Sequence, residues 1–158
     1  MNKKINLTIR KYSGADARET GLLVSETFKL YNAAEGTPLA VQKYIAKYSK
    51  NRPLNELIGE FNSPIFFLAI HNKIIVGMIR GKKNKISNLF VLGKYHKLGI
   101  GSTLVHRFEK DAKKQKSEYI HIRASLYAVP FYQKSGYKKT TGVRNFRGLK
   151  IQPMKKFF

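Results

Sequence analysis

The segment from residue 89 to residue 104 constrains the fold more than any other part of the chain. It reads Leu-Phe-Val-Leu-Gly-Lys-Tyr-His-Lys-Leu-Gly-Ile-Gly-Ser-Thr-Leu, which is an apolar strand, a short basic loop, two glycines one residue apart and the start of a helix. Glycine allows the backbone to turn tightly and to approach a bulky ligand. The free N–H groups in the first turn of a helix, together with the positive end of its dipole, form an anion site. The segment therefore predicts a strand–turn–helix unit that suits a diphosphate.

Other phosphate-binding patterns do not fit this segment. The dinucleotide pattern G-x-G-x-x-G fails because Leu104 stands where the third glycine belongs. The Walker pattern fails because no Gly-Lys-Ser/Thr follows at the required spacing. A plain joint between a loop and a helix, with no ligand, is the alternative interpretation of the two glycines.

The rest of the chain predicts a mixed sheet covered by helices. Alternating apolar and polar residues predict strands, apolar residues at helical spacing predict helices, and His71-Asn72 predicts a hairpin turn. The predicted strands are residues 5–12, 64–70, 73–80, 85–92 and 118–125, with two more in the tail to Phe158, and the predicted helices are residues 13–31, 38–48, 54–61, 99–115 and 130–134. This order indicates a single α/β (α+β) domain with a mostly antiparallel sheet of about six or seven strands flanked by helices.

The charge of the chain is strongly positive. Lysine and arginine outnumber aspartate and glutamate 31 to 9, the net charge is +22, and no carboxylate side chain follows Glu118. Such a field attracts polyanions, which include nucleic acids and coenzyme A. A lysine-rich composition whose side chains are simply solvated explains the same count. Charge alone therefore does not separate an enzyme from a basic nucleic-acid- or partner-binding domain.

Cysteine is absent, and the chain has the length of one domain. The absence of thiols excludes disulfides, thiolate metal sites and acyl transfer through a cysteine thioester, so direct attack by an acceptor is the simpler route. We expect no metal. No apolar run approaches the roughly 18 residues of a membrane span, and no apolar signal region follows Met1. We therefore expect a cytoplasmic protein that does not enter a membrane.

The glycine turn resembles the pyrophosphate-binding motif of the GNAT superfamily of N-acetyltransferases, usually written Q/R-x-x-G-x-G/A. Here the motif is His96-x-x-Gly99-x-Gly101, and an L-x-V strand ending precedes it, as is typical of that family. The chain departs from the family pattern at two positions. His96 replaces the usual Gln or Arg, and Gly93 stands where many members have proline. The resemblance leaves His96 two roles, as a donor to phosphate or as a cap of the loop.

A second segment resembles the same family independently. Residues 124–137 read Ala-Ser-Leu-Tyr-Ala-Val-Pro-Phe-Tyr-Gln-Lys-Ser-Gly-Tyr, which is similar to the later family signature A-x-x-F-Y-x-K-x-G-F/Y. The order of the two motifs and the spacing between them are also typical. The first 60 or so residues match the family only in the order of their elements.

The resemblance implies one N-acetyltransferase domain over residues 1–158. In such a domain, helices within residues 13–61 shape the acceptor pocket and residues 64–140 hold acetyl-CoA. Strand backbone pairs with pantetheine, the amides of the turn bind the pyrophosphate, and Lys94 and Lys97 add charge near the 3′-phosphoadenosine. The cofactor-binding positions that the resemblance implies are Leu89, Phe90, Val91, His96, Lys97, Leu98, Gly99, Ile100, Gly101, Ser102 and Ser125.

The catalytic residue that the resemblance implies is Tyr132. Many family members place a tyrosine near the coenzyme A sulfur, where a phenol can protonate the leaving thiolate. Packing in the core is the alternative for Tyr132 and the preferred interpretation for Phe131 and Tyr137. No general base is identified from the sequence. The candidates are Glu26, Glu35, Glu56, Glu60 and His121, and proximity alone can supply much of the rate if the amine arrives neutral.

The acceptor is expected to be a small amine-bearing molecule or a peptide. A polycation would need several carboxylates around it, and this chain has few. Lys85 stands where some relatives keep an acid, and Arg144 and Arg147 fall in a predicted loop between late strands, so a single amine with an anionic group is the hypothesis. A non-catalytic nucleic-acid- or partner-binding domain on the same scaffold is the alternative. The sequence leaves monomer and homodimer open.

Overall fold

The structure is a computed structural model, and it describes residues 5–158. Five helices and eight strands are assigned within these residues. In chain order they are β1 (Thr8–Lys11), α1 (Ala17–Tyr31), α2 (Pro38–Lys47), α3 (Leu54–Glu60), β2 (Ile65–His71), β3 (Ile74–Lys82), β4 (Lys85–Val91), α4 (Ile100–Lys114), β5 (Tyr119–Ser125), α5 (Val129–Lys134), β6 (Lys138–Lys139), β7 (Arg144–Phe146) and β8 (Leu149–Phe157).

All the strands belong to one mixed, mostly antiparallel sheet in the order β1-β2-β3-β4-β5-β8-β6, with β7 paired to β8. Only the β4–β5 pair is parallel. The sheet therefore has eight strands rather than the predicted six or seven. The difference lies in the tail, where Arg147 and Gly148 both take positive φ and close a β7–β8 hairpin that the sequence pattern did not separate.

The turn between β2 and β3 lies one residue later than predicted. Asn72 and Lys73 occupy it with φ of 47° and 63°, and His71 ends β2 in register with Ile74. Consecutive left-handed residues match the twist of a two-residue hairpin, and asparagine tolerates that region better than most side chains. The prediction of a turn at His71-Asn72 was wrong by this one position.

Two apolar layers cover the sheet on opposite faces. On one face, α4 buries Leu104, Val105, Phe108 and Ala112, which recur at helical spacing in the sequence. On the other face, α1 and α3 pack against β2 and β3 through side chains such as Leu57. Helical spacing in the sequence therefore predicted the buried stripe of α4 correctly.

Strands β4 and β5 begin as neighbours and then separate. They pair only at Lys85 with His121 and at Ile86 with Ile122, so the rest of β4 has no partner on that side. The separation opens the sheet between its two halves. The end of β4 leads directly into the glycine turn and α4, which brings the predicted phosphate site to the mouth of this opening.

Candidate active site

A cavity of about 850 Å³ occupies the opening between β4 and β5. Its walls come from the ends of both strands, the glycine turn, α5, the α1–α2 region and the β7–β8 hairpin. Of the predicted cofactor-binding residues, all but Leu98 line it. These residues are Leu89, Phe90, Val91, His96, Lys97, Gly99, Ile100, Gly101, Ser102 and Ser125.

The backbone of β4 turns polar groups that do not pair with β3 toward this cavity. Leu92 donates its N–H to the carbonyl of Val76 in β3. Because antiparallel pairing alternates along a strand, Phe90 also faces β3, whereas the N–H and C=O groups of Leu89 and Val91 point the other way. These groups face the side on which β5 has moved away. An extended ligand can hydrogen-bond to them as an added strand would.

The glycine turn presents a run of N–H groups that have no acceptor. Within residues 5–158, none of the backbone N–H groups from Lys97 to Ser102 donates a hydrogen bond, and the first donor of α4 is Thr103, to the carbonyl of Gly99. Gly99 has φ of 82°, a conformation that glycine adopts without strain. The open N–H groups and the start of a helix of 15 residues form a site for anionic oxygens.

The second glycine of the motif is required by packing as well as by ligand approach. A Cβ at Gly101 would stand 3.1 Å from the ring of Phe131, whereas a Cβ at Gly99 would meet nothing within 4 Å. Phe131 packs against the hydrophobic core and also lines the cavity. The interpretation of Phe131 as a packing residue is therefore incomplete, because its ring also forms part of the cavity wall.

His96 uses a ring N–H to hold the loop, so this N–H is not available to a ligand in the cavity. Its Nε2 lies 2.6 Å from the carbonyl oxygen of Val91, so this nitrogen is the donor, and Nδ1 lies 3.5 Å from the hydroxyl of Tyr127. Its ring also contacts that of Tyr31 at 4.8 Å between centroids. These contacts support the loop-capping role that the sequence left open for His96.

Gly93 replaces the usual proline for a steric reason. A side chain at this position would collide with the hydroxyl of Tyr31, which is the last residue of α1 and lines the cavity. The acceptor-side helix therefore packs directly on the loop that follows β4. The sequence showed the departure at Gly93 but not its partner, because Tyr31 is far away in the chain.

Glu35 joins the α1–α2 region to the end of β5. Its carboxylate accepts hydrogen bonds from the backbone N–H groups of Leu126 and Tyr127 at 3.1 and 2.9 Å. Ser125 accepts from the N–H of Ala128 at 3.3 Å, so its hydroxyl caps the same turn. Glu35 is the only acidic residue among those that line the cavity. Of the candidate bases, Glu26, Glu56, Glu60 and His121 do not line it.

Tyr132 is buried and is one of the residues that line the cavity. Its side chain is 3% exposed, and its ring makes edge contacts with Phe131 and Tyr137. Within residues 5–158, its hydroxyl forms no hydrogen bond, whereas the hydroxyl of Tyr137 donates to Glu109. Burial raises the pKa of the Tyr132 hydroxyl, so the phenol keeps its proton at neutral pH. The two tyrosines are equally buried, but only Tyr132 has a free hydroxyl at the cavity.

Two predicted basic residues lie outside the cavity lining. Lys94 stacks on the ring of Tyr95 and does not line the cavity, unlike Lys97. Arg144 begins β7 and is exposed away from the cavity, unlike Arg147, which lies in the β7–β8 turn. Five cavity residues that were not predicted as site residues are also cationic: Lys43, Lys47, Arg123, Lys134 and Lys150. Their positions depend on the tertiary fold, and no local pattern marks them.

Comparisons with known proteins agree with this geometry. A family model described as an acetyltransferase (GNAT) domain matches residues 32–158, well over half of the chain. The chain belongs to the GNAT family of acetyltransferases. A Bacillus subtilis protein provisionally named an acetyltransferase is 26% identical over 110 residues, which are 65% of this chain and 75% of that protein.

Two solved structures share the GNAT fold. A GCN5-related N-acetyltransferase from Rhodopseudomonas palustris has a TM-score of 0.81 at 21% identity, over 96% of this chain and 95% of its own. The PaiA N-acetyltransferase from Thermoplasma acidophilum, solved in complex with coenzyme A, has a TM-score of 0.76 at 24% identity, over 98% and 100%.

The family assignment makes the chain an acyltransferase, so the enzyme is favoured over the non-catalytic basic domain. Among the described residues, no group of three or more His, Asp or Glu side chains is arranged to hold a metal ion. None of the helices in the same residues is long and apolar enough to cross a membrane.

Proposed function

We propose that this enzyme transfers the acetyl group of acetyl-CoA directly to a primary amine of a small molecule or peptide. The observation that carries the proposal is the run of unpaired N–H groups from Lys97 to Ser102 beside a cavity that is also lined by Tyr132, whose hydroxyl forms no hydrogen bond within the described residues. An anion site and a proton donor that line one cavity suit an anionic thioester.

The unpaired backbone groups fit coenzyme A along its length. In the proposal, the N–H groups of Lys97 to Ser102 take the pyrophosphate, and Lys97 adds positive charge beside it. The groups of Leu89 and Val91 that face away from β3 pair with the pantetheine amides. The carbonyl of Val91 is already held by His96, which leaves the carbonyl of Leu89 and the two N–H groups for the ligand.

The chemistry requires a polarised carbonyl and a proton for the leaving sulfur. The amine nitrogen attacks the thioester carbon, the C–N bond forms, and the C–S bond breaks as the electron pair moves to sulfur. An N–H group of the open β4 backbone polarises the carbonyl oxygen. Tyr132 donates a hydrogen bond to the sulfur and supplies its proton. The amine gives up a proton to solvent, and solvent returns a proton to the Tyr132 phenolate.

The acceptor amine is proposed to arrive neutral rather than to be deprotonated by a dedicated base. Glu35 is the one acidic side chain that lines the cavity, and both of its oxygens already accept backbone hydrogen bonds. The rate should therefore follow the ionisation of the amine itself. Two acceptors of different amine pKa should give kcat/KM profiles whose inflections differ by the same amount. A fixed inflection near pH 6.5 to 7 for both acceptors would instead point to an enzymic base.

The division of the chain is part of the same proposal. Residues 1–158 form one N-acetyltransferase domain, in which helices within residues 13–61 shape the acceptor side and residues 64–140 hold acetyl-CoA. The contact of Tyr31 with the loop at Gly93 and the bonds of Glu35 to the end of β5 support this division, because they place α1 and the α1–α2 connection along the cavity.

Product formation tests the proposal directly. The enzyme is incubated with acetyl-CoA and a panel of primary amines, thiol release is followed, and each acetylated product is identified by mass. We expect equal amounts of free thiol and acetylated amine. We also expect no acetylated protein when the amine is omitted, because the chain has no cysteine and transfer is direct. Thiol release without an acetylated amine would contradict the proposal.

A further inference from the structure

Six cations from four elements of the fold line the cavity. Lys43 and Lys47 come from α2, Lys85 begins β4, Arg123 lies on β5, and Arg147 and Lys150 belong to the β7–β8 hairpin. These six residues, Lys43, Lys47, Lys85, Arg123, Arg147 and Lys150, are called the cationic wall below.

Lys85 and Arg123 of the cationic wall are too far from the turn to bind the pyrophosphate. Strand β4 runs from Lys85 to Val91 before the turn begins, and seven strand residues span about 20 Å. Arg123 lies two residues beyond His121, the pairing partner of Lys85, so Arg123 is at the same end of the opening. Lys85 and Arg123 therefore lie at the end of the opening away from the turn, where the proposed function places the acceptor.

None of the six cations forms an ion pair with any residue in the described range 5–158. The ion pairs there involve Asp16, Glu56, Glu60 and Glu109, all with basic residues outside the wall. Glu35, the one acidic residue of the cavity, is committed to two backbone N–H groups. The wall therefore has no protein anion to balance it.

Part of the wall is held in a fixed orientation. The guanidinium groups of Arg123 and Arg147 both lie against the ring of Phe146, at 4.1 and 5.1 Å from its centroid. Stacking on an aromatic ring orients a guanidinium while leaving its N–H donors free. Lys85 lies on the same face of the sheet as Arg123, and desolvation followed by repulsion from Arg123 lowers its pKa. A bound anion would relieve this repulsion.

We infer that the acceptor carries an anionic group, a carboxylate or a phosphate, beside its primary amine, and that the cationic wall binds this group. The inference rests on the proposed function and names its substrate class. An amine with further ammonium groups would bring more positive charge into a cavity that has one carboxylate, which is unfavourable. The anion is bound by Arg123, Arg147 and the lysines around them, and Arg144 takes no part because it lies outside the cavity lining.

Matched acceptors and matched variants test the inference. An amino acid is compared with its carboxamide, and an aminoalkyl phosphate with the corresponding amino alcohol, by kcat/KM at fixed acetyl-CoA. We expect the anionic member of at least one pair to be preferred by about tenfold or more. Comparison of the carboxylate pair with the phosphate pair shows which anion the site binds. Arg123→Gln and Lys85→Gln should each lower kcat/KM for the preferred anionic acceptor by about tenfold and change that for its neutral partner by less than about twofold.

Lys155→Gln is the matched control. Lys155 shares the sheet face of His121 and Lys85, but it does not line the cavity. This variant removes the same charge and should keep the preference for the anionic acceptor. An equal loss in Lys155→Gln and Arg123→Gln would mean that the overall field, rather than the cationic wall, selects the acceptor, and would overturn the inference.

Two further outcomes separate the inference from the proposed function. If spermidine or a neutral amine is the best acceptor by kcat/KM, acetyl transfer stands and the anionic acceptor is wrong. If no amine is acetylated, the proposed function fails, and calorimetry of the amino acid and the aminoalkyl phosphate on the complex with coenzyme A still decides the binding site. Binding that is lost in Arg123→Gln and kept in Lys155→Gln would support the wall, and absence of binding would overturn it.

Discussion

The two ends of the cavity are built in different ways. At the end proposed to bind coenzyme A, called the coenzyme end, the groups offered to the ligand are mostly backbone: the N–H groups of Lys97 to Ser102 and the open edge of β4. At the end proposed to bind the acceptor, called the acceptor end, they are side chains from α2, β4, β5 and the β7–β8 hairpin. A backbone site needs only a particular local conformation, whereas a side-chain site needs particular residues from distant parts of the chain.

This difference has a consequence for mutation. A substitution at the coenzyme end alters binding only if it changes backbone conformation, adds charge or fills space, because the side chains there contribute little. A substitution at the acceptor end acts directly on the group that recognises the substrate. Tyr132 is the exception at the coenzyme end, since it contributes a side-chain hydroxyl to a region otherwise formed by backbone.

The largest expected effect on activity is at Tyr132. Tyr132→Phe keeps the ring in its packed position and removes only the hydroxyl. If the phenol supplies the proton to the leaving sulfur, kcat should fall by about 10² to 10⁴, with acetyl-CoA affinity nearly unchanged. Steady-state kinetics at saturating amine and a thermal shift with acetyl-CoA measure the two quantities.

Tyr137→Phe is the matched control for that change. Tyr137 is as buried as Tyr132, but its hydroxyl donates to Glu109 at 3.2 Å. Its loss should cost about 1.5 to 3 kcal/mol in free energy of unfolding and leave kcat within about twofold. If both variants lower kcat equally, Tyr132 acts through packing and not as an acid.

Glu35 tests how firmly the two ends are connected. Glu35→Ala removes two charge-assisted hydrogen bonds between the α1–α2 region and the end of β5. The free energy of unfolding should fall by about 2 to 3 kcal/mol, and KM for the amine should rise more than KM for acetyl-CoA. Glu26→Ala removes the same charge from an exposed position on α1 and should change the free energy of unfolding by less than about 0.5 kcal/mol. Equal effects of the two changes would show that Glu35 is not a connection.

A smaller effect is expected where α1 packs on the loop after β4. Gly93→Ala places a methyl group against the hydroxyl of Tyr31 and should lower the free energy of unfolding by about 1 to 3 kcal/mol. In a Tyr31→Phe background, the hydroxyl is absent and most of this cost should disappear. Chemical denaturation of the two single variants and the double variant measures the coupling. Strict additivity would mean that Gly93 is needed for another reason.

The same contrast explains what could be predicted from the sequence. The segment from Leu89 to Ser102 could be selected from the sequence because it is continuous. All but Leu98 of the residues assigned to the cofactor line the cavity, and their binding of the cofactor stays a prediction. Helical and strand spacing also gave the helices and most of the sheet. The hairpin turn at His71-Asn72 was wrong by one residue, since left-handed geometry at Lys73 has no strong sequence signal.

The acceptor end could not be predicted in the same way. Glu35 and its partner Leu126 are 91 positions apart, and Lys43 and Arg123 meet the same cavity only because β5 lies beside β4. A charged residue on an exposed strand face looks the same in sequence whether or not a cavity lies above it. The sequence placed Arg144 and Arg147 together in one loop. In the structure, Arg147 lies in the β7–β8 turn and lines the cavity, whereas Arg144 belongs to β7 and does not line it.

The central claim is that backbone N–H groups at the start of α4 bind the diphosphate. Ser102 is exposed in the first turn of α4, so it can be changed without disturbing the core. A carboxylate at a helix N-terminus is favourable for the free protein. It is unfavourable beside a phosphate, since two like charges about 4 Å apart repel by about 4 kcal/mol at an effective dielectric constant of about 20. The charged variant is Ser102→Glu. Its control is Ser102→Gln, because glutamine has nearly the same size as glutamate and carries no charge.

Thermal unfolding with and without acetyl-CoA tests this claim most directly. For the unmodified chain, acetyl-CoA at about 100 times its Kd should stabilise the fold by roughly 2.7 kcal/mol. At the same acetyl-CoA concentration, Ser102→Gln should keep most of this stabilisation and Ser102→Glu should lose nearly all of it, with both variants folded in the absence of ligand. No stabilisation of the unmodified chain at millimolar acetyl-CoA, or equal stabilisation of the Glu and Gln variants, would contradict the account.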